Sequence, residues 1–412
     1  MCIFFKNYVI VLLYQTLGVV TVKLVFASNY LNHHQLPLAL NFRRMLGDNF
    51  VFIATKAVSD ARINLGYADM DEKYDFVLPA YKSQKNEELA AELINKCDIL
   101  ICGSVPEHMV AQRINDNKIV FRYSERPLKN GAEPHKYFAR LIKWRKRNPV
   151  SKSVYLLCAS AYAAADYKCF GMFKNRAYKW GYFPDTAKYN STNELMSKKD
   201  ANSILWCGRL IDWKHPETAV MIAQMLKADG YKFTLNIIGD GDLKPQLKQL
   251  IDENDLCDYV KLAGAVAADE VRKYMESAGV FLFTSGFQEG WGAVLNEAMN
   301  SGCAVVASSA AGAVPYLIEN GKNGLIYQNN NIDEMYKSVK YLLNNVNEQQ
   351  RLGSNAYNTI AKLWCADVAA ERFITLAQCI ENNSSCDIFD SGPCSKAEII
   401  SNNWFKTHSG KA

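Results

Sequence analysis

An α/β architecture of two doubly wound, Rossmann-like parallel-sheet domains facing a central cleft is predicted by three observations. Short apolar runs alternate with longer helix-period segments almost from end to end, the pattern of successive β-α units. A polar stretch at 184–202, rich in Asn, Ser, Asp and Lys, divides these runs into two series and reads as an interdomain linker. The 412 residues suffice for two or three domains, and 49% hydrophobic with 22% charged residues excludes an extended disordered chain.

Residues 1–21 form an apolar extension, interrupted by Gln15 and Thr16. Three readings of it stand: a membrane anchor, though the run falls short of the roughly 20 apolar residues a span needs; a signal peptide with Lys6 before its core; and a start-site artefact ahead of a domain that begins at Val22. The first series of strands is expected at 23–27, 50–54, 75–78, 98–102, 119–123 and 154–159, giving an amino-terminal domain over 22–183. The second is expected at 203–207, 234–238, 259–262, 280–284, 304–307 and 324–327, in a domain over 203–380 that ends on a helical pattern from Thr359 to Ile380. Beyond it lies a tail, 381–412. Its segment 395–406 is expected to form a helix capped by Ser395 and to pack back on the amino-terminal domain.

The charge sum, 47 − 42 = +5, is too mild to imply nucleic acid. Twelve cysteines lie scattered without a C-x-x-C pair, which disfavours a disulfide scaffold and a zinc module and fits a reducing, cytosolic compartment. Asp69-Met-Asp71 and Asp240-Gly-Asp242 are D-x-D matches, but pairs this close arise often by chance, and no catalytic metal is expected.

The sharpest local signal is Glu289-Gly-Trp-Gly-Ala-Val-Leu-Asn-Glu297. It reads as a glycine turn between a strand and a helix whose first amides favour an anion. Glu297 falls about two turns from Glu289, so the carboxylates can grip different parts of one extended ligand. On spacing alone such a pair is more often solvated surface charge. A second signal shifts the weight: Gly208-Arg209 and then Lys214 put two cations in the loop after a strand, a planar fork and a point charge suited to a diphosphate. The turn Gly239-Asp-Gly241 that ends the next strand is not G-x-G-x-x-G, which disfavours a nicotinamide cofactor.

Taken in order, these segments resemble the carboxyl-terminal domain of the group 1 (family 4) retaining glycosyltransferases, which have the GT-B fold, including bacterial polysaccharide-assembly members. The match runs through Gly208-Arg209…Lys214, Ile237–Gly241, Val260–Gly264, Phe283–Ser285, Glu289-Gly-x-Gly292…Glu297, Gly302…Ala307 and Asn323–Leu325, about a third of the chain. The resemblance implies that Gly208, Arg209 and Lys214 hold a donor diphosphate, and that Glu289 is catalytic and contacts the transferred sugar. It further implies that Gly290, Trp291, Gly292 and Ala293 line the donor beside Glu289, and that Glu297 binds the ribose hydroxyls of a nucleotide sugar. No cofactor is implied, the nucleoside diphosphate sugar being a substrate.

The first domain matches the family less well. The loop after the first strand lacks the family's glycines and reads Ser28-Asn-Tyr-Leu-Asn32-His33-His34-Gln35; Asn32, His33 and His34 are expected to line the cleft. Where many members carry a sugar-contacting His, this chain has Ser124-Glu125-Arg126, so Ser124, Glu125 or His108 stand as substitutes. From Arg122 to Lys152 ten basic residues face two acidic ones. Lys136, Arg140, Lys143 and Arg147 recur at helical spacing before Pro149, a stripe expected on an anionic membrane surface, against the alternatives of a solvated face or nucleic acid.

The reading is a retaining hexosyltransferase acting from a nucleoside diphosphate sugar on a hydroxyl of a lipid-linked glycan in cell-surface polysaccharide biosynthesis, cytoplasmic and peripheral on the inner membrane face, with no nucleic-acid partner. The alternatives are a sugar-nucleotide epimerase, a phosphorylase, or a non-catalytic donor-binding subunit.

Overall fold

A computed structural model describes residues 22–59, 69–131 and 133–408; the extension 1–21 lies outside the described residues. Strands β1 (Leu24–Ser28), β2 (Phe50–Ala54), β3 (Val77–Pro79), β4 (Ile99–Cys102), β5 (Val120–Ser124), β6 (Val154–Cys158) and β7 (Ala177–Lys179) form one sheet in the order β3-β2-β1-β4-β5-β6-β7. Strands β8 (Asp200–Cys207), β9 (Thr234–Ile238), β10 (Val260–Gly264), β11 (Ala278–Phe283), β12 (Ala304–Ser308) and β13 (Leu325–Tyr327) form the second, in the order β10-β9-β8-β11-β12-β13. Every pairing within both sheets is parallel. Helices cover both faces of such sheets, which is why β1, β4, β11 and β12 are buried along their whole length and read as unbroken apolar runs.

Both sheets reverse their winding next to their first strand, between β1 and β4 and between β8 and β11. Loops that leave the carboxyl ends of those neighbours diverge and open a crevice, the usual ligand position in open parallel sheets. The segments 208–214 and 284–292 are the two loops at the second switch point.

Three boundaries differ from expectation. The stretch 184–202 contains the helix Thr192–Ser197, started by Ser191 accepting from the Asn193 amide, and β8 begins at Asp200. The helix Ala366–Glu381, expected in the second domain, crosses to the first: the Phe373 ring lies 4.9 Å from Phe121 and 5.7 Å from both Phe42 and Trp180. The tail does not form a helix at Ser395. Instead Lys396 pairs antiparallel with Tyr178 of β7, with Lys179 N donating to Ser395 O at 2.7 Å, and among the described residues beyond it only Trp404–His408 is helical. Backbone donors at the sheet edge win this segment over a weak helix signal.

Candidate active site

The cation loop is held from behind. Gly208 N donates to Ile238 O at 3.0 Å and Leu210 N to Asp240 O at 2.9 Å, so the turn after β9 backs it. A Cβ on Gly239 (φ +136°) would lie 1.8 Å from Gly208 O, so only glycine permits this approach. Asp240 is turned to Lys244 Nζ (2.9 Å), and Asp71 of the other D-x-D match accepts from Tyr81 OH. Among the described residues no group of three or more His, Cys, Asp or Glu is arranged to hold a metal ion.

Residues 212–214 make one tight turn that is stitched to the loop after β11. Trp206 Nε1 donates to Thr284 Oγ1 at 2.8 Å, Thr284 Oγ1 donates to Lys214 O at 2.5 Å, and Gly286 N donates to Trp213 O at 2.9 Å. The result brings Lys214 Nζ onto Glu289 as an ion pair in which each side chain is only 14% exposed. Ser285 Oγ donates to the same carboxylate oxygen at 3.2 Å. Arg209 stays exposed, its guanidinium 5.7 Å from the Trp213 ring.

Gly292 takes φ +94°, where a Cβ would meet Phe283 at 2.3 Å, and the helix Ala293–Asn300 starts directly after it. Trp291, expected among the donor-lining residues, turns its side chain the other way. It is fully buried, its Nε1 donates to Asn296 Oδ1 at 2.9 Å, and its ring stands 5.8 Å from Trp364 and against Gly181. The indole anchors the turn in the core, and only the backbone of Trp291 remains for a ligand. Further along the same helix, Glu297 is largely enclosed, which raises its carboxyl to about 7 while the charge of Arg272 acts in the opposite direction.

The first domain closes over this turn. The Glu125 carboxylate rests on Gly290, so close that a Cβ there would be 2.1 Å from its oxygen. Tyr182 OH donates to Glu125 Oε1 at 2.9 Å and Lys129 stands at 3.7 Å. Ala161 N donates to Gly312 O at 2.8 Å, Gly312 N to Glu289 O at 3.2 Å, and Tyr162 OH to Ser309 O. Ser124 is spent internally, its hydroxyl on Glu125 O and beside Tyr167 OH. His108 is an exposed partner of Glu87 on the helix Glu107–Asn115, so of the three substitutes Glu125 is the one that touches the Gly290 turn. After β1, Asn32 Oδ1 accepts from the amides of His34 and Gln35 at 3.0 Å in the turn that precedes the helix Leu36–Leu46. His33 is exposed; the His34 ring packs 3.8 Å from it and 6.1 Å from Tyr182, which leads on to Glu125.

The basic stripe is rearranged. In the helix Tyr137–Arg147, Arg140 pairs with Glu133, as does Lys136 from the preceding turn, and Arg147 pairs with Glu107 at 3.4 Å. Lys143, Arg145 and Lys146 are exposed, beside Phe138 (74% exposed) and Ile142 (70%). The helix packs through Leu141 and Trp144, because Trp144 meets Phe170 at 4.6 Å. Sequence spacing gave no role to Thr284, Ser285, Tyr182 or Tyr162, although the first two stood inside a recognised motif.

The two-domain frame with its switch-point cleft is the GT-B fold. It is similar over 88% of this chain to the crystal structure of Anabaena Alr3699/HepE in complex with UDP (TM-score 0.63, 16% identity, 99% of that chain). Residues 189–359 match the family model of glycosyl transferases group 1. Over 126 residues, 29% of this chain and 31% of the relative, the sequence is 40% identical to the amylovoran biosynthesis glycosyltransferase AmsK of Erwinia amylovora. Over 127 residues, 30% and 31%, it is 34% identical to the putative colanic acid biosynthesis glycosyltransferase WcaL of Salmonella typhimurium. The matched stretch thus spans about a third of the length of each of these curated relatives.

Proposed function

We propose that the protein is a retaining glycosyltransferase that moves a hexose-type sugar from a nucleoside diphosphate sugar to a hydroxyl of a lipid-linked glycan in cell-surface polysaccharide synthesis. One observation carries the reading: Lys214 and Glu289, from loops on adjacent strands, meet at the switch point, with the Glu125 carboxylate of the other domain resting on the next residue, Gly290.

Two charges so little exposed are costly apart and stable together. An arriving diphosphate competes for Lys214, with Arg209 beside it, and frees the Glu289 carboxylate for hydroxyls of the sugar. The Glu297 carboxyl takes the ribose hydroxyls. In the transfer the anomeric carbon–phosphate oxygen bond breaks and the bond to the acceptor oxygen forms on the same face. The acceptor proton passes to the leaving phosphate oxygen, so no separate base is required. Fixed cations and the amides at the helix start stabilise the charge that grows on the leaving diphosphate. No metal takes part in this scheme. The polysaccharide context is supported by the relatives, an amylovoran biosynthesis glycosyltransferase and a putative colanic acid biosynthesis glycosyltransferase.

The acceptor's lipid suits the exposed pair Phe138 and Ile142 with Lys143 and Lys146 around them, a face that inserts shallowly into an anionic bilayer. No helix among the described residues is long and apolar enough to cross a membrane. A thermal-shift screen of UDP-, GDP-, ADP- and dTDP-sugars, followed by donor turnover with the stabilising compound, tests the reading. At 100 times the dissociation constant a true donor stabilises by about 2.7 kcal/mol. If none of the four classes stabilises the protein, the reading fails.

A further inference from the structure

The loop after β13 and the start of the helix Ile332–Asn344 face the carboxyl-terminal helix Trp404–His408 across a hollow of about 780 Å³. That volume is within the usual range of small-ligand sites, roughly 300–1,000 Å³. Its walls come from parts of the chain some seventy residues apart, Gln328 to Ser338 on one side and Phe405 with Lys406 on the other. The second wall is pinned in place. Trp404 Nε1 donates to Tyr162 OH at 2.8 Å and lies 3.2 Å from Ser309 O, so the tail is fixed to both domains at once.

The lining has a definite chemistry. Gln328, Asn330 and Asp333 present planar amide and carboxylate groups, Phe405 presents an aromatic ring, and Lys337 and Lys406 balance the acids. The Gln328 side-chain oxygen is buried and accepts no hydrogen bond among the described residues. A buried acceptor left unmade is costly and calls for a donor. Planar groups that pair with neighbouring hydroxyls, and a ring that covers the apolar face of a pyranose, fit a neutral saccharide. A phosphate would meet Asp333 and Glu334, and an acyl chain would meet too many polar groups.

The hollow also communicates with the donor turn. Asn329 N donates to Ser309 Oγ at 3.1 Å, and Gly312, three residues on, donates to Glu289 O. We infer that this hollow is a saccharide subsite that holds sugar units of the acceptor remote from the reacting hydroxyl. What the bound saccharide is used for rests on the glycosyl-transfer reading; the binding itself does not.

The test uses the full chain and a panel of neutral trisaccharides (malto-, cello-, manno- and galactotriose), read by saturation-transfer difference NMR with and without saturating UDP. At least one trisaccharide is expected to give a signal that persists with UDP. It should weaken by about fivefold or more, near 1 kcal/mol of binding, in both Phe405→Ala and Gln328→Ala. Thermal unfolding of each variant confirms that it folds, and Gln328→Ala leaves the tail wall intact if Phe405→Ala loosens it. No signal from any trisaccharide, a signal unchanged in both variants, or one abolished by UDP overturns the inference. Saccharide binding with no turnover of any nucleotide sugar would uphold the subsite and refute the transfer reading.

Discussion

Lys214 and Glu289, 75 residues apart in sequence, form an ion pair at the junction of β8 and β11, and Ser285 donates to the same carboxylate oxygen. On the proposed reading a diphosphate divides the pair. Lys214→Ala is expected to weaken diphosphate binding by about ten- to a hundredfold, the value of one or two charge-assisted hydrogen bonds. Glu289→Ala should lower kcat more than it changes the dissociation constant of the donor. Titration calorimetry with the nucleoside diphosphate, set beside steady-state kinetics, separates the two; unchanged turnover in Glu289→Ala would remove it from the chemistry.

Glu297 gives the fold a pH signature. Its carboxyl is raised by burial from 4.5 to about 7, so the folded protein holds a proton there that the unfolded chain releases. The associated stability is fully present below about pH 4.5 and is lost as pH rises through 7, by at most about 3 kcal/mol. Glu297→Gln should flatten this part of the stability profile and raise the melting temperature at pH 8. Denaturation at pH 5, 6, 7 and 8 checks it, and a parallel profile for the two proteins would contradict it.

Glu125 of the first domain rests on the Gly290 turn of the second. Gly290→Ala places a methyl group within 2.1 Å of the Glu125 carboxylate, so that side chain must swing off the turn. Turnover is expected to fall at least about tenfold, since small misplacements of reacting groups are costly, while diphosphate binding to the second domain is retained. Adding Glu125→Ser to Gly290→Ala relieves the clash. The double variant should then melt at a higher temperature than Gly290→Ala alone; equal melting temperatures would reject the contact.

Phe138 and Ile142 are exposed beside Lys143 and Lys146. Phe138→Asp with Ile142→Asp should reduce sedimentation with vesicles containing anionic lipid by at least about tenfold, because each change removes apolar insertion and adds repulsion. Lys143→Glu with Lys146→Glu should make a comparable loss that is largest at low salt. Equal binding of the wild type to neutral and anionic vesicles would discard the electrostatic part.

Much of the frame was legible because buried parallel strands leave unbroken apolar runs, as in Val280–Phe283 and Ala304–Ala307. β7 escaped notice: it is three residues long and gains its outer partner from Lys396, more than two hundred residues later. The motif around Glu289 was visible, but no spacing rule says that Trp291 points into the core while Glu289 turns to Lys214. Of the four cations in the stripe, Arg140, Lys143 and Arg147 lie on the helix and Lys136 in the turn before it. Lys136 and Arg140 are taken by Glu133 and Arg147 by Glu107, acids supplied from outside the helix. Local periodicity locates a helix; the partners of its charges come from the tertiary fold.

The return of the helix Ala366–Glu381 to the first domain, where Phe373 sits among Phe42, Phe121 and Trp180, governs how the molecule can be made. During synthesis the leading lobe leaves the ribosome with a hole in its aromatic centre that only a segment made after the whole second sheet can plug. Premature stops before residue 373 should therefore yield sticky, chaperone-bound fragments rather than a free-standing half.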